Sequence, residues 1–244
     1  LNKVLTRPNH SIVNGVNQDW DKFDSYSSYD DFTFSYLNEC KRVLKPDGGL
    51  WIIGSYHNIF RIGKILQDLN FWILNDVIWA KSNPLPNFRA TRLTNAHETL
   101  IWCSKKPKSK YQFNYHTLKV ANEDRQERSI WNFPICSGKE RLKNNKKQTA
   151  HPTQKPLALM KKIIIQSSIQ GDLVLEPFAG TASFCAEAKY LGRNYIGFEK
   201  DETYFNLAIK RLKKIKSLKN DLLEINEKDK PCLLYTSPSP RDMP

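Results

Sequence analysis

Residues 151–200 read HPTQKPLALMKKIIIQSSIQGDLVLEPFAGTASFCAEAKYLGRNYIGFEK, and this stretch decides the fold. Within it, residues 172–176 (DLVLE) are a short, mostly apolar run that ends in a carboxylate. A turn rich in small residues follows, residues 183–191 have helical spacing, and a second apolar run at 194–199 (NYIGFE) also ends in a carboxylate. This order predicts half of a βαβ unit with a tight turn at the carboxyl end of its first strand.

Such a turn is a place where nucleoside cofactors bind. Small residues let the backbone approach the ligand, and the N-terminus of the following helix presents free N–H groups. An acid about 20 residues downstream can accept hydrogen bonds from both ribose hydroxyls, and Glu199 has that spacing. The turn lacks G-x-G-x-x-G, which disfavours a nicotinamide enzyme. A buried βαβ unit without a ligand is the alternative that this pattern alone leaves open.

Composition limits the class of protein. A chain of 244 residues can bury a sizeable α/β core, and its net charge of +13 favours a polyanionic partner, nucleic acid before membrane. No apolar run approaches the roughly 20 residues needed to cross a bilayer, and no signal peptide is evident, so the expected setting is the cytoplasm, with nucleoid association. The five cysteines are scattered and include no C-x-x-C, so neither a metal site nor a disulfide is predicted.

The preceding chain alternates between two kinds of apolar pattern. Helical and strand-like runs cover residues 29–44, 50–53, 59–69, 71–79 and 97–103. This alternation predicts a doubly wound, mostly parallel sheet whose ligands bind at the carboxyl ends of the strands. Residues 1–28 are predicted to be a loop.

Two motifs in this order resemble the amino-methyltransferases of DNA. The first is His-Pro-Thr-Gln-Lys-Pro at 151–156, and after a helix the second is Glu-Pro-Phe-x-Gly at 176–180. They occur in this order in the circularly permuted β arrangement, in which the cofactor half comes last. Residues 42–88, 95–105 and 127–143 are similar to the HinfI and cell-cycle-regulated (GANTC-type) adenine methyltransferases.

The resemblance implies a fold and an activity. The fold is a Rossmann-like, S-adenosylmethionine-dependent methyltransferase, a circularly permuted α/β domain with an inserted target-recognition region. The activity is methyl transfer from S-adenosylmethionine to N6 of adenine in double-stranded DNA, with GANTC as the expected site. N4-cytosine methylation and a non-catalytic DNA- or cofactor-binding fragment are the alternatives. A homodimer and a cognate restriction endonuclease are further partners compatible with the resemblance, and no membrane partner is expected.

Cofactor-binding residues are carried over onto matching positions. Glu199 is expected to bind the ribose hydroxyls, unless it is only a solvated acid at a strand end. The turn over the methionine part comprises Glu176, Pro177, Phe178, Gly180 and Thr181, and the loop that closes over the amino-acid end comprises Thr153, Gln154, Lys155 and Pro156. His151 is expected to fix that loop.

The turn departs from the family pattern at three positions. Glu176 stands where Asp is usual, which keeps the charge with a longer reach. Ala182 stands where Gly is usual and would be strained at a positive φ. Phe184 replaces a threonine, so no hydroxyl contact is carried over from that position.

Residues 105–150 interrupt the α/β alternation and combine many cations with interleaved aromatic side chains. This segment is the predicted target-recognition insertion, with a solvated charged loop as the alternative, and most of its cations are expected to contact phosphates. The predicted DNA contacts are Arg125, Arg128, Lys139, Arg141, Lys146 and Lys147 from this segment, with Arg89, Arg92 and Asn95 from the turn before it.

The catalytic Asp-Pro-Pro-Tyr tetrad of the family is absent from residues 1–244, and Asn83-Pro84-Leu85-Pro86 is a lookalike that Leu85 breaks. The resemblance places the tetrad ahead of Leu1, so the chain is expected to be truncated at both ends, and no residue is assigned a catalytic role. The predicted division is a methyltransferase domain at 1–231, with its opening loop at 1–28, its insertion at 105–150 and its cofactor half at 151–216. Residues 232–244 resemble a translated sequencing adapter and are excluded.

Overall fold

The computed structural model describes residues 22–144 and 147–218, together with two short backbone strands before residue 22. The elements, in chain order, are β1 (Leu5–Thr6), β2 (Ile12–Val13), α1 (Tyr26–Val43), β3 (Gly49–Gly54), α2 (Ile59–Asp68), β4 (Trp72–Lys81), β5 (His97–Ser104), α3 (Tyr115–Ala121), β6 (Ile130–Phe133), α4 (Leu157–Ser167), β7 (Leu173–Glu176), α5 (Ser183–Tyr190), β8 (Asn194–Gly197) and α6 (Glu202–Lys214).

Each helical and strand-like run predicted between residues 29 and 103 is confirmed, as are the two strands and the helix predicted at 172–199. The predicted loop at 1–28 differs from the structure, because it includes the antiparallel pair β1–β2 and the start of α1. The other residues before 22, Lys146 and its neighbour at 145, and the chain after 218, including the predicted tail 232–244, lie outside the described residues.

The main sheet has the strand order β3-β5-β4-β6. Strand β5 runs antiparallel to both of its neighbours, whereas β4 and β6 are parallel. The predicted sheet was mostly parallel, and β5 departs from it because residues 82–96 connect β4 to β5 at one edge without a crossover helix. Strands β3, β4 and β6 therefore end together, at Gly54, Lys81 and Phe133. We call this the site edge.

Helices cover both faces of the main sheet. On one face, Leu37 of α1 and Leu66 of α2 pack with Ile101. On the other face, Leu159 and Ile163 of α4 pack with residues of the sheet that include Leu100. Burial of each such side chain is worth about 1.5–3 kcal/mol, so this three-layer core supplies the stability of the domain.

Helix α4 also connects the main sheet to β7 and β8, which form a separate parallel pair. Just before α4 begins, Lys155 is ion-paired with Glu98 near the site edge, at 2.7 Å. Where α4 ends, Ser167 accepts a hydrogen bond from Trp51 near the start of β3, at 3.1 Å. The helix thus runs away from the site edge, and β7 returns to it. The turn after β7 therefore lies on the same side of the domain as the ends of β3, β4 and β6.

The main sheet and the β7–β8 pair both have unpaired strand edges within the described residues, among them one edge of β3 and one edge of β7. Leu173 and Leu175 of β7 are 55% and 37% exposed. Unpaired edges that carry exposed apolar side chains favour pairing with another strand. The unpaired edges of β3 and β7 can each accept a further strand.

Part of the segment predicted as the insertion, residues 105–150, belongs to the main sheet. Strand β6 belongs to the main sheet, and Trp131 on it is buried. Just before α3, Asn114 is buried beside α4 and donates to the carbonyl oxygens of Ile165 and Ser168, at 2.5 and 2.8 Å. Residues 134–144 and 147–150 follow β6 at the site edge, and we call them the inserted part.

In the part of the chain that the structure describes, no helix has the length and apolar character required to cross a bilayer. Within the same residues, no three His, Cys, Asp or Glu side chains are grouped as metal ligands would be.

Candidate functional site

The centre of the site is the turn at 176–182, which we call the glycine turn. Gly180 has φ +52°, a conformation that favours glycine, and a Cβ at this position would lie 3.1 Å from Nε2 of His151. The turn and the loop at 151–156, the HPTQKP loop, are therefore in contact. Any side chain on Gly180 would push them apart.

Ala182 is strained, as the sequence predicted for a positive φ. It has φ +53° and lies in the left-handed region immediately before α5. This conformation costs a residue with a Cβ about 1–2 kcal/mol. Its methyl group is buried in a small apolar cluster with Cys185 and Ala208, which offsets part of that cost.

Arg211 of α6 contacts the residues on both sides of this strained residue. Its guanidinium donates to the carbonyl oxygen of Thr181 at 3.0 Å and to Oγ of Ser183 at 3.1 Å. Burial lowers the pKa of Arg211, while the carboxylates of Glu140 and Glu187 raise it. Sequence reasoning missed this role, because Arg211 lies in a lysine-rich helix with no local feature that distinguishes it.

Glu199 follows β8 and lies directly against the glycine turn. Its Oε2 accepts a hydrogen bond from the amide of Gly180 at 2.7 Å, and its Oε1 accepts one from the amide of Asp201 at 2.8 Å. Each carboxylate oxygen can accept more than one hydrogen bond, so hydroxyl groups could still bind. The Glu199 carboxylate therefore contacts both the glycine turn and the backbone that follows β8.

Glu176 points to the start of α5. Its Oε2 accepts from the amide of Cys185 at 3.1 Å, where the helix dipole favours a negative charge. Burial raises the pKa of the Glu176 carboxyl to about 7, and the hydrogen bonds from the start of α5 act in the opposite direction. The Glu176 side chain thus connects the end of β7 to the start of α5 beneath the glycine turn.

A cluster of aromatic side chains lies beside the glycine turn. Phe178 is exposed to solvent and its ring contacts Tyr36 of α1 edge-to-face, with centroids 5.1 Å apart. Phe32 lies 5.9 Å from Phe178, and Phe23 extends the group. Sequence reasoning placed Phe178 in the turn but did not predict these partners on α1, which are distant along the chain. Pro177 and Thr181 complete the turn.

In the HPTQKP loop, His151 fixes the loop, as predicted. Its ring packs on Tyr204, with centroids 4.5 Å apart, and its Nδ1 accepts from the amide of Thr153 at 3.2 Å. Burial lowers the pKa of the imidazole. Thr153 itself is exposed.

The other three predicted cofactor residues of the loop contact the protein. Gln154 is buried, Pro156 precedes the first turn of α4, and Lys155 is ion-paired with Glu98. Glu98 also pairs with Lys81 at 2.9 Å. Burial raises the pKa of Glu98, but the ammonium groups of Lys155 and Lys81 prevail and hold it below its usual value. A charged residue inside an apolar strand signals a buried ion pair, although its partner cannot be read from the sequence.

The loop at 82–96 presents the three residues predicted to face DNA. Arg89, Arg92 and Asn95 are all exposed. Asn87 shapes the loop, since its Nδ2 donates to the carbonyl oxygen of Arg92 at 2.8 Å and its Oδ1 accepts from the amide of Arg89 at 3.2 Å. The guanidinium of Arg92 also donates to the hydroxyl of Tyr56 at 2.5 Å.

The remaining predicted DNA contacts fall into separate groups. Lys139 and Lys147 are exposed on the inserted part at the site edge. Arg141 is turned inward and donates to backbone carbonyl oxygens of the HPTQKP loop. Arg125 and Arg128 are exposed on the segment between α3 and β6, which precedes the end of β6 that is opposite the site edge. Lys146 lies outside the described residues.

Comparison with known proteins gives consistent matches. A family profile described as DNA methylase (N6/N4 methyltransferases) matches residues 3–210. The chain is 52% identical over 227 residues to the type II methyltransferase M.HinfI of Haemophilus influenzae, covering 93% of this chain and 63% of that protein. It is 39% identical over 222 residues to the type II methyltransferase M2.MboI of Moraxella bovis, covering 90% of this chain and 79% of that protein.

Solved structures agree in fold. A crystal structure of the M1.HpyAVI–SAM complex has a TM-score of 0.62 and 34% identity, covering 78% of this chain and 85% of that chain. The PvuII DNA methyltransferase, described as cytosine-N4-specific, has a TM-score of 0.66 at 20% identity over 90% of this chain and 80% of that chain. The predicted Rossmann-like α/β methyltransferase fold is thereby confirmed.

Proposed function

The chain belongs to the DNA methylase family of N6 and N4 methyltransferases, and from this we propose that it forms the cofactor site and part of the DNA site of an S-adenosylmethionine-dependent DNA methyltransferase. The proposed reaction is methylation of N6 of adenine in double-stranded DNA at GANTC. Because the chain spans 63% of the length of M.HinfI, the activity is proposed for a polypeptide that also carries the tetrad.

The contact between Glu199 and the amide of Gly180, at 2.7 Å, is the observation that carries the proposal. It joins an acid at the end of β8 to a glycine turn at the end of β7, where a nucleoside can place its ribose and the backbone leaves room for it. We propose that Glu199 binds the ribose hydroxyls, that the turn lies under the methionine part, and that Thr153 faces its amino-acid end. The bound cofactor supplies an electrophilic methyl group on a sulfonium.

The chain's own residues would position the reactants and perform little acid–base chemistry. An in-line transfer to an amine depends on alignment of the two reacting atoms, and the adenine must leave the helix to reach them. The rigid turn, held by Arg211 and Glu199, fixes one reactant. By family resemblance, the Asp and Pro of the tetrad would accept the N6 hydrogens, and its Tyr would stack on the base.

The unpaired edges of β3 and β7 support a place for the tetrad strand between them. A strand paired with both edges would run into the site edge beside the glycine turn. It would also cover the exposed Leu173 and Leu175. We propose that the tetrad strand occupies this position and completes one continuous sheet.

Similarity to the GANTC-type enzymes favours adenine as the methylated base. Because the family also includes N4-cytosine enzymes, methylation of cytosine at N4 is the alternative. The PvuII similarity, at 20% identity, concerns the fold alone. We further propose that the setting is a restriction–modification system in the cytoplasm, with a cognate endonuclease, and that a homodimer is the form in solution.

We expect the reaction product to decide between the two bases. The chain preceded by a strand that ends in Asp-Pro-Pro-Tyr, which we call the extended polypeptide, is incubated with S-adenosylmethionine and a GANTC duplex. Nucleoside mass spectrometry should find N6-methyladenine. A duplex with the central sequence changed to GANTG is the matched control. N4-methylcytosine as the product would refute the adenine assignment.

The exposed cations should divide into phosphate contacts and base contacts. Lys139→Ala with Lys147→Ala should weaken binding to matched and mismatched duplexes alike, because each lost phosphate contact lowers the salt slope by about 0.9. Arg89→Ala or Arg92→Ala should instead cost about 1–3 kcal/mol of discrimination at one base pair. Fluorescence anisotropy at several salt concentrations measures both quantities in the extended polypeptide.

Lys64→Ala is the control for this experiment, because Lys64 pairs with Asp68 on α2 and lies away from the site edge. It should leave both quantities unchanged. The division of roles would be reversed if the lysine pair altered discrimination while the arginines altered only the salt slope.

A further inference from the structure

Arg141 is surrounded by backbone acceptors and faces the HPTQKP loop. Its guanidinium donates to the carbonyl oxygen of Pro152 at 2.8 Å, of Cys136 at 3.2 Å and of His151 at 3.4 Å. Its Nε is buried and has no partner among the described residues. The planar donor fork of this arginine is thus directed at the protein interior, where a lysine could not reproduce it.

Further contacts join the same two segments. The side chain of Gln154 donates to the carbonyl oxygen of Glu140 at 2.9 Å and accepts from the amide of Leu142 at 3.0 Å. The Glu140 carboxylate accepts from the amide of Leu157, at the start of α4, at 2.5 Å. Residues 136–142 and the HPTQKP loop therefore form one hydrogen-bonded unit, and Arg141 supplies two of the contacts between the two segments.

This unit bears on the glycine turn through His151. Arg141 binds the His151 carbonyl oxygen, and the His151 ring packs against Gly180 and Tyr204. Release of the guanidinium would free the backbone that sets the position of this ring. It would also leave partly buried carbonyl oxygens without their donors, which destabilises this arrangement of the loop.

We propose that Arg141 is a positioning residue for cofactor binding, which holds the HPTQKP loop against the glycine turn, and that it does not contact a DNA phosphate. This inference rests on the proposed function, because it takes the glycine turn as the S-adenosylmethionine site. It replaces the role expected from charge alone, under which Arg141 was one of the DNA contacts.

The test compares cofactor affinity with the salt dependence of DNA binding in the full chain. Arg141→Ala should raise the Kd for S-adenosylmethionine about 10-fold or more in calorimetry. Its salt slope for a GANTC duplex should equal that of the parent, whereas loss of a phosphate contact would lower the slope by about 0.9. Arg141→Lys, which restores the charge without the fork, should recover only part of the cofactor affinity.

Arg193→Lys is the matched control for a purely structural effect. Arg193 also donates to backbone carbonyl oxygens, of Leu191 at 2.7 Å and Ser168 at 2.8 Å, but away from the HPTQKP loop. Its replacement should lower the urea midpoint and leave the cofactor Kd unchanged. A fall in salt slope for Arg141→Ala, or an unchanged cofactor Kd in both Arg141 variants, would overturn the inference while the proposed function stands. A parent chain that binds no S-adenosylmethionine would overturn both.

Discussion

The 244-residue chain is expected to bind S-adenosylmethionine but to transfer no methyl group to DNA. Its sequence contains no Asp-Pro-Pro-Tyr tetrad, and the roles proposed for the site residues are to bind and orient the cofactor, not to align the base. Alignment of two reactants can account for about 7–11 kcal/mol of a barrier. Loss of that contribution would reduce the rate below detection.

The measurement is incorporation of labelled methyl groups into a GANTC duplex. The chain alone should give background counts, and the extended polypeptide should give product. An extension in which the Asp and Tyr of the tetrad are replaced by alanine is the matched control, since it supplies the proposed strand without restoring the chemistry. It should remain at background although the sheet is completed.

Activity of the chain alone would show that the catalytic site has been misplaced. The first candidate would then be Asn83, within Asn-Pro-Leu-Pro. In the structure its Oδ1 accepts from the amide of Ile135 at 2.7 Å, so this side chain ties the exit of β4 to the exit of β6. Urea unfolding of Asn83→Ala, measured beside its activity, would separate this structural role from a catalytic one.

The local sequence pattern is sufficient to predict those elements whose structure depends mainly on their own residues. The β7–α5–β8 unit was predicted correctly because apolar runs, a small-residue turn and helical spacing occur together within 30 or so residues. The strain at Ala182 was also foreseeable, since a Cβ stands where the turn requires a positive φ.

Features that depend on distant partners were not predictable from the sequence. The antiparallel direction of β5 follows from a connection that stays at one edge, which periodicity does not report. Strand β6 is four residues long and lies in a charged segment. Arg141 was grouped with the DNA contacts because the sequence supplies its charge, whereas its backbone acceptors become visible only in the fold. Glu98 was missed for the same reason.

Cofactor affinity is expected to fall sharply when Glu199 is replaced. Its carboxylate would make charge-assisted hydrogen bonds to both ribose hydroxyls, and loss of such contacts costs about 1.5–3 kcal/mol, or about 10- to 150-fold in Kd. Glu199→Ala also removes the acceptor for the Gly180 amide, so it should fall at the upper end of this range. Glu199→Gln keeps one carbonyl oxygen and should be affected less.

The experiment is calorimetric titration of S-adenosylmethionine into the extended polypeptide and its variants. Glu202→Ala is the matched control, because Glu202 is an exposed acid in the first turn of α6 and its loss changes the net charge equally. Urea unfolding of each variant separates loss of a ligand contact from collapse of the turn. Unchanged affinity in both Glu199 variants would mean that this acid only ends β8, because a carboxylate that binds both hydroxyls cannot be replaced without weakening the complex.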